Sequence, residues 1–275
     1  MITKIKINGF KSFHNFEMTF TPFTIIAGTN ASGKSNLFDA LELLSKLAES
    51  DNIKKALQSQ RGEFIELFSM YDKDIYAEFM EFEVEMLVNP KVKDAWGNEA
   101  ILKYTRLQYQ LKLRRTVNQS GLDDIEVIHE KLINLKKDNE DRWIKIIPKD
   151  KIEYWRPKVD GNRKGKPYLD TIQKNGIDTV VIHQDGSKGT FRQIPIVNAN
   201  RTVLSSIDNV DFKHVLAAKE EMKSWKFLQL NPDDLREPTN KSNGEDEISS
   251  SGKNLAAALY RISLNNNFAL KEISR

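Results

Sequence analysis

The sequence predicts a fold of the α/β class with α+β character, and two observations carry this prediction. Residues 28–35 read G-T-N-A-S-G-K-S and lie between an apolar run, residues 23–27, and a segment with helical periodicity. Further along, residues 76–88 and 106–114 alternate apolar with polar side chains, as half-buried strands do. The first pattern predicts a strand, loop and helix; the second predicts an antiparallel β-subdomain beside them.

Two short strands are predicted before the apolar run. Ile5 and Ile7 alternate with lysines, and Phe16 and Met18 alternate with Glu17 and Thr19, on either side of G-F-K-S-F-H at residues 9–14. The predicted order is therefore a β-hairpin, a third strand, the loop and a helix. In small-molecule kinases the loop that corresponds to residues 28–35 usually follows the first strand of the domain. The predicted order, with a β-hairpin first, therefore disfavours a small-molecule kinase.

The loop is a complete phosphate-binding P-loop pattern. Its glycines allow backbone N–H groups to turn toward phosphates, and the following helix presents its positive N-terminal end to them. The predicted ligand is ATP with Mg²⁺, with Lys34 reaching the β- and γ-phosphates and the Ser35 hydroxyl coordinating the metal. The other predicted contacts come from the loop itself: Gly28, Thr29, Asn30, Ala31, Ser32 and Gly33.

The strand at residues 76–88 has an acidic polar face, and the strand at 106–114 has a basic one. The basic face has two interpretations, a nucleic-acid stripe or one side of an antiparallel pair whose charges neutralise each other across the strands. We favour the second. The remaining predicted elements are a short amphipathic helix within residues 122–140, strands at 177–183 and 190–197, a helix near 212–225, a loop at 237–252 and a last helix from Leu255.

Composition limits the classes of function. The chain has 275 residues, 42 Lys and Arg against 39 Asp and Glu, a net charge of +3 and no cysteine. Bulk charge therefore does not indicate a nucleic-acid surface, and disulfides, thiolate zinc sites and cysteine nucleophiles are excluded. The N-terminus lacks the apolar core of a signal peptide, so the expectation is a cytoplasmic protein without a membrane partner.

Motifs that usually accompany a hydrolytic P-loop are not found. Residues 179–182, T-V-V-I, continue into His183, Gln184 and Asp185, which is typical of a strand entering a turn rather than of a carboxylate on the magnesium shell. The base-reading N-K-x-D element of GTPases is absent, and the four histidines lack metal-ligand spacing.

At this point the sequence resembles a known family. I-K-I-N-G-F-K-S-F at residues 5–13, the P-loop with its flanks at 23–36 and the leucine-rich helix are similar to the N-terminal lobe of RecF/SMC-class ATP-binding cassette ATPases. Q-R-G-E-F-I-E-L-F at 60–68 resembles a segment of SMC proteins. Residues 230–238 and 251–259 resemble predicted RecF-like ATPases of bacterial phage-defence and plasmid-borne systems.

The resemblance implies several further contacts. Lys11, Ser12 and Phe13 are expected beside the nucleotide, with Asn36 close to them, and Arg61 is expected to face DNA or the nucleotide. A basic stretch at residues 148–167 is typical of a solvated loop, with contact to a DNA backbone as the alternative. Its candidate contacts are Arg163, Lys164 and Lys166.

The resemblance also implies that the signature, the Walker B carboxylates and the rest of a C-terminal lobe lie beyond residue 275. We therefore expect one N-terminal ATPase lobe, divided into a P-loop core (1–70), a β-rich subdomain with an insertion (71–200) and a helical segment (201–275). Its expected partners are ATP, a second copy or a complementary lobe, and DNA. Two functions stay open: an ATPase part in a DNA-related or defence process that turns over ATP only when completed, or a non-hydrolysing module that uses nucleotide to dimerise or dock.

Overall fold

The computed structural model describes residues 1–135, 147–155, 166–185, 191–238 and 248–265. The chain divides into two compact units, Met1–Trp225 and Lys226–Arg275. Within the described ranges, no helix is long and apolar enough to cross a membrane.

The first unit is built on an eight-stranded sheet in which every pairing is antiparallel. Its strand order is β12-β11-β10-β9-β8-β5-β1-β2, and β3 with β4 and β6 with β7 form two small hairpins outside it. The strands are β1 (Ile2–Asn8), β2 (Phe16–Thr19), β3 (Met70–Asp72), β4 (Ile75–Tyr76), β5 (Phe79–Leu87), β6 (Lys91–Lys93), β7 (Glu99–Ile101), β8 (Arg106–Val117), β9 (Asp123–Asn134), β10 (Leu169–Lys174), β11 (Ile177–His183) and β12 (Phe191–Pro195). The predicted mixed α/β class with a large antiparallel sheet is confirmed.

The pairing of β5 with β8 settles the two interpretations of the basic strand. The strands are antiparallel neighbours, with Glu81 opposite Lys112 and Glu85 near Arg106. The Lys112 ammonium lies 2.7 Å from the Glu81 carboxylate, and the Arg106 guanidinium lies 2.9 Å from that of Glu85. The charges of Arg106 and Lys112 are thus paired across the strands with the acidic face of β5, as the favoured interpretation predicted, and Arg114 pairs with Glu126 of β9 on the other side.

Six α-helices are found in the described ranges. They are α1 (Lys34–Glu49), α2 (Ile53–Gln58), α3 (Lys149–Trp155), α4 (Lys213–Lys223), α5 (Pro232–Arg236) and α6 (Leu255–Asn265). Helix α1 contacts α2 and α4, and it buries its leucines, among them Leu37, Leu44 and Leu47. The Thr202 hydroxyl donates to the Leu47 carbonyl at the end of α1, and a 3-10 turn (Leu204–Ser206) follows at once. The helices predicted near 212–225 and from Leu255 are both confirmed, as are the strands β11 and β12.

The helix predicted within residues 122–140 is wrong, because residues 123–134 form the strand β9. Strands β8 and β9 pair along almost their whole length, and the register shifts between Lys112 and Leu113. This bulge reverses which side of β9 faces the core: Ile125 and Val127 are buried before it and Leu132 after it. The interrupted alternation imitates a helical spacing.

The predicted strand at residues 23–27 is also not formed. These residues have no strand conformation, and the Phe23 and Ile25 side chains are 80% and 77% exposed. The Thr21 hydroxyl instead donates to the Phe23 carbonyl, which bends the chain just before the run. An apolar strand of this kind needs neighbours on both sides, and no strand within the described ranges pairs with it.

The second unit contains α5 and α6. The Gln229 N–H donates to the Ser250 carbonyl at 2.8 Å, and the Asn231 N–H donates to that of Ser251 at 3.0 Å. The Asn231 side chain accepts from the Asp233 N–H and so caps α5. Much of the loop predicted at 237–252 lies outside the described residues.

Candidate functional site

The P-loop ends where α1 begins, at Lys34. Gly33, just before the helix, has a φ of 87°, a left-handed conformation that favours glycine. A Cβ atom on Gly28 would lie 2.8 Å from the Ser32 hydroxyl oxygen. The backbone at Gly33 therefore favours glycine, and a side chain at Gly28 would displace the Ser32 hydroxyl within the loop.

Lys34 folds back into the loop. Its ammonium donates to the Gly28 carbonyl at 2.8 Å and to the Thr29 carbonyl at 2.5 Å, with the Ser32 hydroxyl 3.3 Å away. The loop therefore curls around a cation, while Ser35 in the first turn of α1 is exposed. Asn30 and Ala31 are exposed at the tip of the loop.

The segment of residues 9–13 lies directly against the loop. The Asn36 amide donates to the Ser12 hydroxyl at 2.8 Å, and a Cβ atom on Gly33 would lie 3.2 Å from the same oxygen. The resemblance predicted that Ser12 and Asn36 both lie beside the nucleotide, and the fold brings the two side chains together.

Phe13 lies beneath the loop rather than in open contact with solvent. Its side chain is 6% exposed, its ring packs 4.4 Å from that of Phe16, and its edge would lie 3.8 Å from a Cβ atom on Gly33. Its carbonyl accepts from the Ser69 hydroxyl at 3.0 Å. Phe13 thus supports the loop from below, and its predicted contact with the nucleotide stays a prediction.

Lys11 and Arg61 meet at a residue that the sequence analysis did not identify, Asp39. The Lys11 ammonium lies 2.7 Å from one Asp39 oxygen, and Arg61 Nη2 lies 2.8 Å from both of them. Lys11 also donates to the Arg61 carbonyl at 3.0 Å. Hydrogen bonding to Asp39, together with its charge, raises the pKa of the Arg61 guanidinium. In the sequence, the feature that could have pointed to Asp39 is its position as an acidic residue within a leucine-rich helix, four residues after Ser35.

The loop fits the phosphates of a nucleotide. The loop between Gly28 and the left-handed turn at Gly33 surrounds the Lys34 cation at the N-terminal end of α1, which is where phosphates bind to loops of this kind. The exposed hydroxyl of Ser35 would supply one ligand to a magnesium ion bound with those phosphates. In the described ranges no group of three or more His, Cys, Asp or Glu residues is arranged to hold a metal by itself.

Other candidates lie elsewhere. Asp185, at the end of β11, accepts from the His214 N–H at 3.1 Å and contacts the His214 ring at 2.5 Å, so it belongs to the packing of α4. Lys166 is exposed shortly before β10. Arg163 and Lys164 lie outside the described residues.

Comparison with known proteins gives two kinds of match. Two solved structures of SMC ATPase heads match part of the chain, each with 23% identity and a TM-score of 0.29 over 46% of this chain. One comes from work on ATP-driven dimerisation and DNA-stimulated activation of SMC ATPases, and 68% of its chain is covered. The other is an SMC head bound to the C-winged helix domain of ScpA, of which 35% is covered.

These structural likenesses are too distant to support an argument, and no curated protein matches the sequence. The profile of a protein family, described as an AAA ATPase domain, matches residues 1–267. It covers the P-loop, the antiparallel sheet and most of the second unit, and it confirms the prediction of an AAA-type P-loop ATPase. The chain belongs to the AAA ATPase domain family.

Proposed function

We propose that this chain is the Mg²⁺-dependent ATP-binding module of a RecF/SMC-like ATPase. The observation that carries the proposal is the P-loop, which curls around the Lys34 ammonium and contacts the segment containing Ser12 through Gly33 and Asn36. The match to the AAA ATPase domain family supports it.

Each residue of the site has a separate role in this proposal. Lys34 exchanges its bonds to the Gly28 and Thr29 carbonyls for the phosphate oxygens, which carry more negative charge. The N–H groups of the loop and of the first turn of α1 bind the same phosphates. Ser35 holds the magnesium ion, and Ser12, fixed by Asn36, borders the site.

Hydrolysis needs a metal-bound carboxylate and a residue that positions water. We propose that both come from sequence or from a subunit outside this chain. Asp39, the carboxylate described beside the loop, is committed to Lys11 and Arg61, and Asp185 is committed to His214. Among the described residues, neither of these two carboxylates is left available to a metal ion or to water, so we propose that the site binds ATP without cleaving it.

Dimerisation or docking of a partner in response to ATP is the alternative function. The exposed Phe23 and Ile25 favour a partner for this module, because an apolar run beside the loop is left open to solvent. A role in DNA repair or phage defence, with DNA contacts from Arg61, Arg163, Lys164 and Lys166, is proposed on the sequence resemblance alone.

The test is ATP binding by the Lys34→Ala variant, measured by calorimetry with Mg²⁺ present. Removal of the ammonium leaves the phosphate charge without its main cationic partner, so we expect a loss of about 100-fold or more in affinity. Unchanged affinity would show that the loop is not the nucleotide site.

Ser35→Ala is the matched variant for the metal. If Ser35 coordinates magnesium, its loss weakens ATP binding when Mg²⁺ is present and has little effect when the metal is chelated. Equal losses under the two conditions would remove Ser35 from the metal site.

A further inference from the structure

We propose that Asp39 is a positioning residue for the nucleotide site: it holds Lys11 and Arg61 so that the outer edge of the Arg61 guanidinium faces the phosphates of a nucleoside triphosphate at the P-loop. This inference rests on the proposed function. It adds to it a residue that belongs to no part of the P-loop motif.

The first support is the burial of the cluster. The Asp39 and Lys11 side chains are 9% and 10% exposed, whereas the Arg61 side chain is 67% exposed. A carboxylate taken out of water needs cations and hydrogen bonds to compensate. Asp39 therefore anchors both cations firmly from the inside, and only Arg61 extends to the surface.

The second support is the way in which Arg61 uses its donors. Its Nε donates to Asp39 Oδ1 at 3.3 Å, and its Nη2 lies 2.8 Å from both Asp39 oxygens. Within the part of the chain that the structure describes, Nη1 makes no hydrogen bond. A guanidinium is a planar fork, so fixing one edge fixes the direction of the other. Asp39 thereby presents the Nη1 donors of Arg61 to a ligand in one orientation.

The third support is the location. Asp39 lies four residues after Ser35 on α1, which is about one helical turn or roughly 6 Å along the axis. Lys11 precedes Ser12, which is bonded to Asn36 in the same first turns of the helix. The cluster therefore borders the P-loop on the side of residues 11–13.

The charges around the P-loop still suit an anion. Asp39 and Glu42 together balance Lys11 and Arg61, so the net positive charge comes from Lys34 in the loop, and Arg61 contributes donors of fixed direction. Polyphosphate is the ligand with the matching charge and with oxygens spaced for a guanidinium fork.

The experiment measures ATP affinity, with Mg²⁺, for the full chain and for Asp39→Asn, Arg61→Ala and their double variant. We expect each single change to weaken binding about tenfold, and the double variant to bind no more weakly than Arg61→Ala alone, because the two residues act as a unit. Losses that multiply in the double variant would mean that Asp39 and Arg61 contribute to binding independently, which would overturn the proposal.

Glu42→Gln is the matched control, since Glu42 lies on the same helix and affects Arg61 through its charge without a hydrogen bond. Its affinity for ATP is expected to stay within about twofold of the wild type. Unchanged binding by Asp39→Asn, or an equal loss in Glu42→Gln, would overturn the proposal.

If circular dichroism shows that Asp39→Asn does not fold, Arg61→Lys decides instead. Lysine keeps the charge but lacks the fork, so it should lose as much affinity as Arg61→Ala, and full affinity would overturn the proposal. Lys34→Ala, measured alongside, separates the two proposals. ATP binding that needs Lys34 but is indifferent to Asp39 defeats only the positioning role, whereas a wild type that binds no ATP defeats the proposed function.

Discussion

Gly9 shows how one residue fixes the approach of the chain to the P-loop. Its φ is 76°, and a Cβ atom there would lie 2.0 Å from the Phe79 carbonyl oxygen. The Gly9 N–H donates to the Phe13 carbonyl at 2.9 Å, which closes the turn that carries Lys11 and Ser12 to the site. The close contact with β5 and the turn both depend on the absence of a side chain.

Gly9→Ala is therefore expected to lower the free energy of unfolding by about 3 kcal/mol, from backbone strain and overlap with Phe79 together. Gly121→Ala is the matched control, because Gly121 has the same φ of 76° and nothing within 4 Å of its Cβ position. That control should cost about 1 kcal/mol, the strain alone. Urea unfolding of both variants measures the difference, and equal losses would show that the Phe79 contact is unimportant.

At this scale the P-loop residues were recognisable from the sequence, because their spacing is dictated by the phosphates. Asp39 was not recognisable, since its role depends on Lys11 and Arg61, which are 28 and 22 residues away in the chain. A side-chain cluster of this kind becomes visible only when the fold brings its members together.

Among the elements, β9 is the one whose packing depends on a buried charge. Glu130 is 0% exposed and accepts from the Tyr109 hydroxyl at 2.7 Å and from the N–H groups of Val203 and Leu204 at 2.6 and 3.0 Å. Glu130 thereby attaches the 3-10 turn Leu204–Ser206 to the sheet. Burial raises the pKa of the Glu130 carboxyl above its ordinary value of 4.5, and these three hydrogen bonds oppose that rise.

Because the pKa of Glu130 is raised, the folded state binds more protons than the unfolded state at every pH between 4.5 and the pKa of the folded state. The Glu130 contribution to stability is therefore complete below pH 4.5 and falls as the pH rises through that window. Glu130→Gln cannot titrate. The stability of the variant relative to the wild type should increase as the pH rises from about 4 to about 7, measured by urea unfolding at each pH. A constant difference would contradict the assigned cause.

The elements were predictable where the pattern of side chains was uninterrupted. Strands β1, β2, β5 and β8 alternate regularly, β11 is a short apolar run, and the predicted positions of all five are confirmed. The sequence predicts a helix in place of strand β9, because the bulge breaks the alternation of its side chains. Residues 23–27 have the composition of a buried strand, but their conformation depends on neighbours that local sequence does not specify.

For the molecule as a whole, the net charge is small, and many charges of the large sheet are paired with one another. The acidic side chains along β5 face cations of both neighbouring strands: Glu83 lies 2.9 Å from Lys6 of β1, and Glu81 lies 2.7 Å from Lys112 of β8. Near the start of α1, Lys34 is bound by backbone carbonyls and not by a carboxylate, whereas Lys11 and Arg61 are balanced by Asp39 and Glu42. Lys34 is therefore the cation with charge available to phosphate in this part of the described structure.

This distribution leads to a last prediction, on turnover. The described site supplies cations and hydrogen-bond donors to ATP, which bind it, but its nearby carboxylate is held by two cations and is not available to a metal or to water. Purified chain with saturating Mg²⁺ and ATP should therefore release phosphate no faster than the Lys34→Ala variant. Steady turnover that is lost in Lys34→Ala would contradict this expectation. Asp185 would then become a catalytic candidate, which Asp185→Asn tests directly, with His214→Phe as the control for the loss of their shared contact.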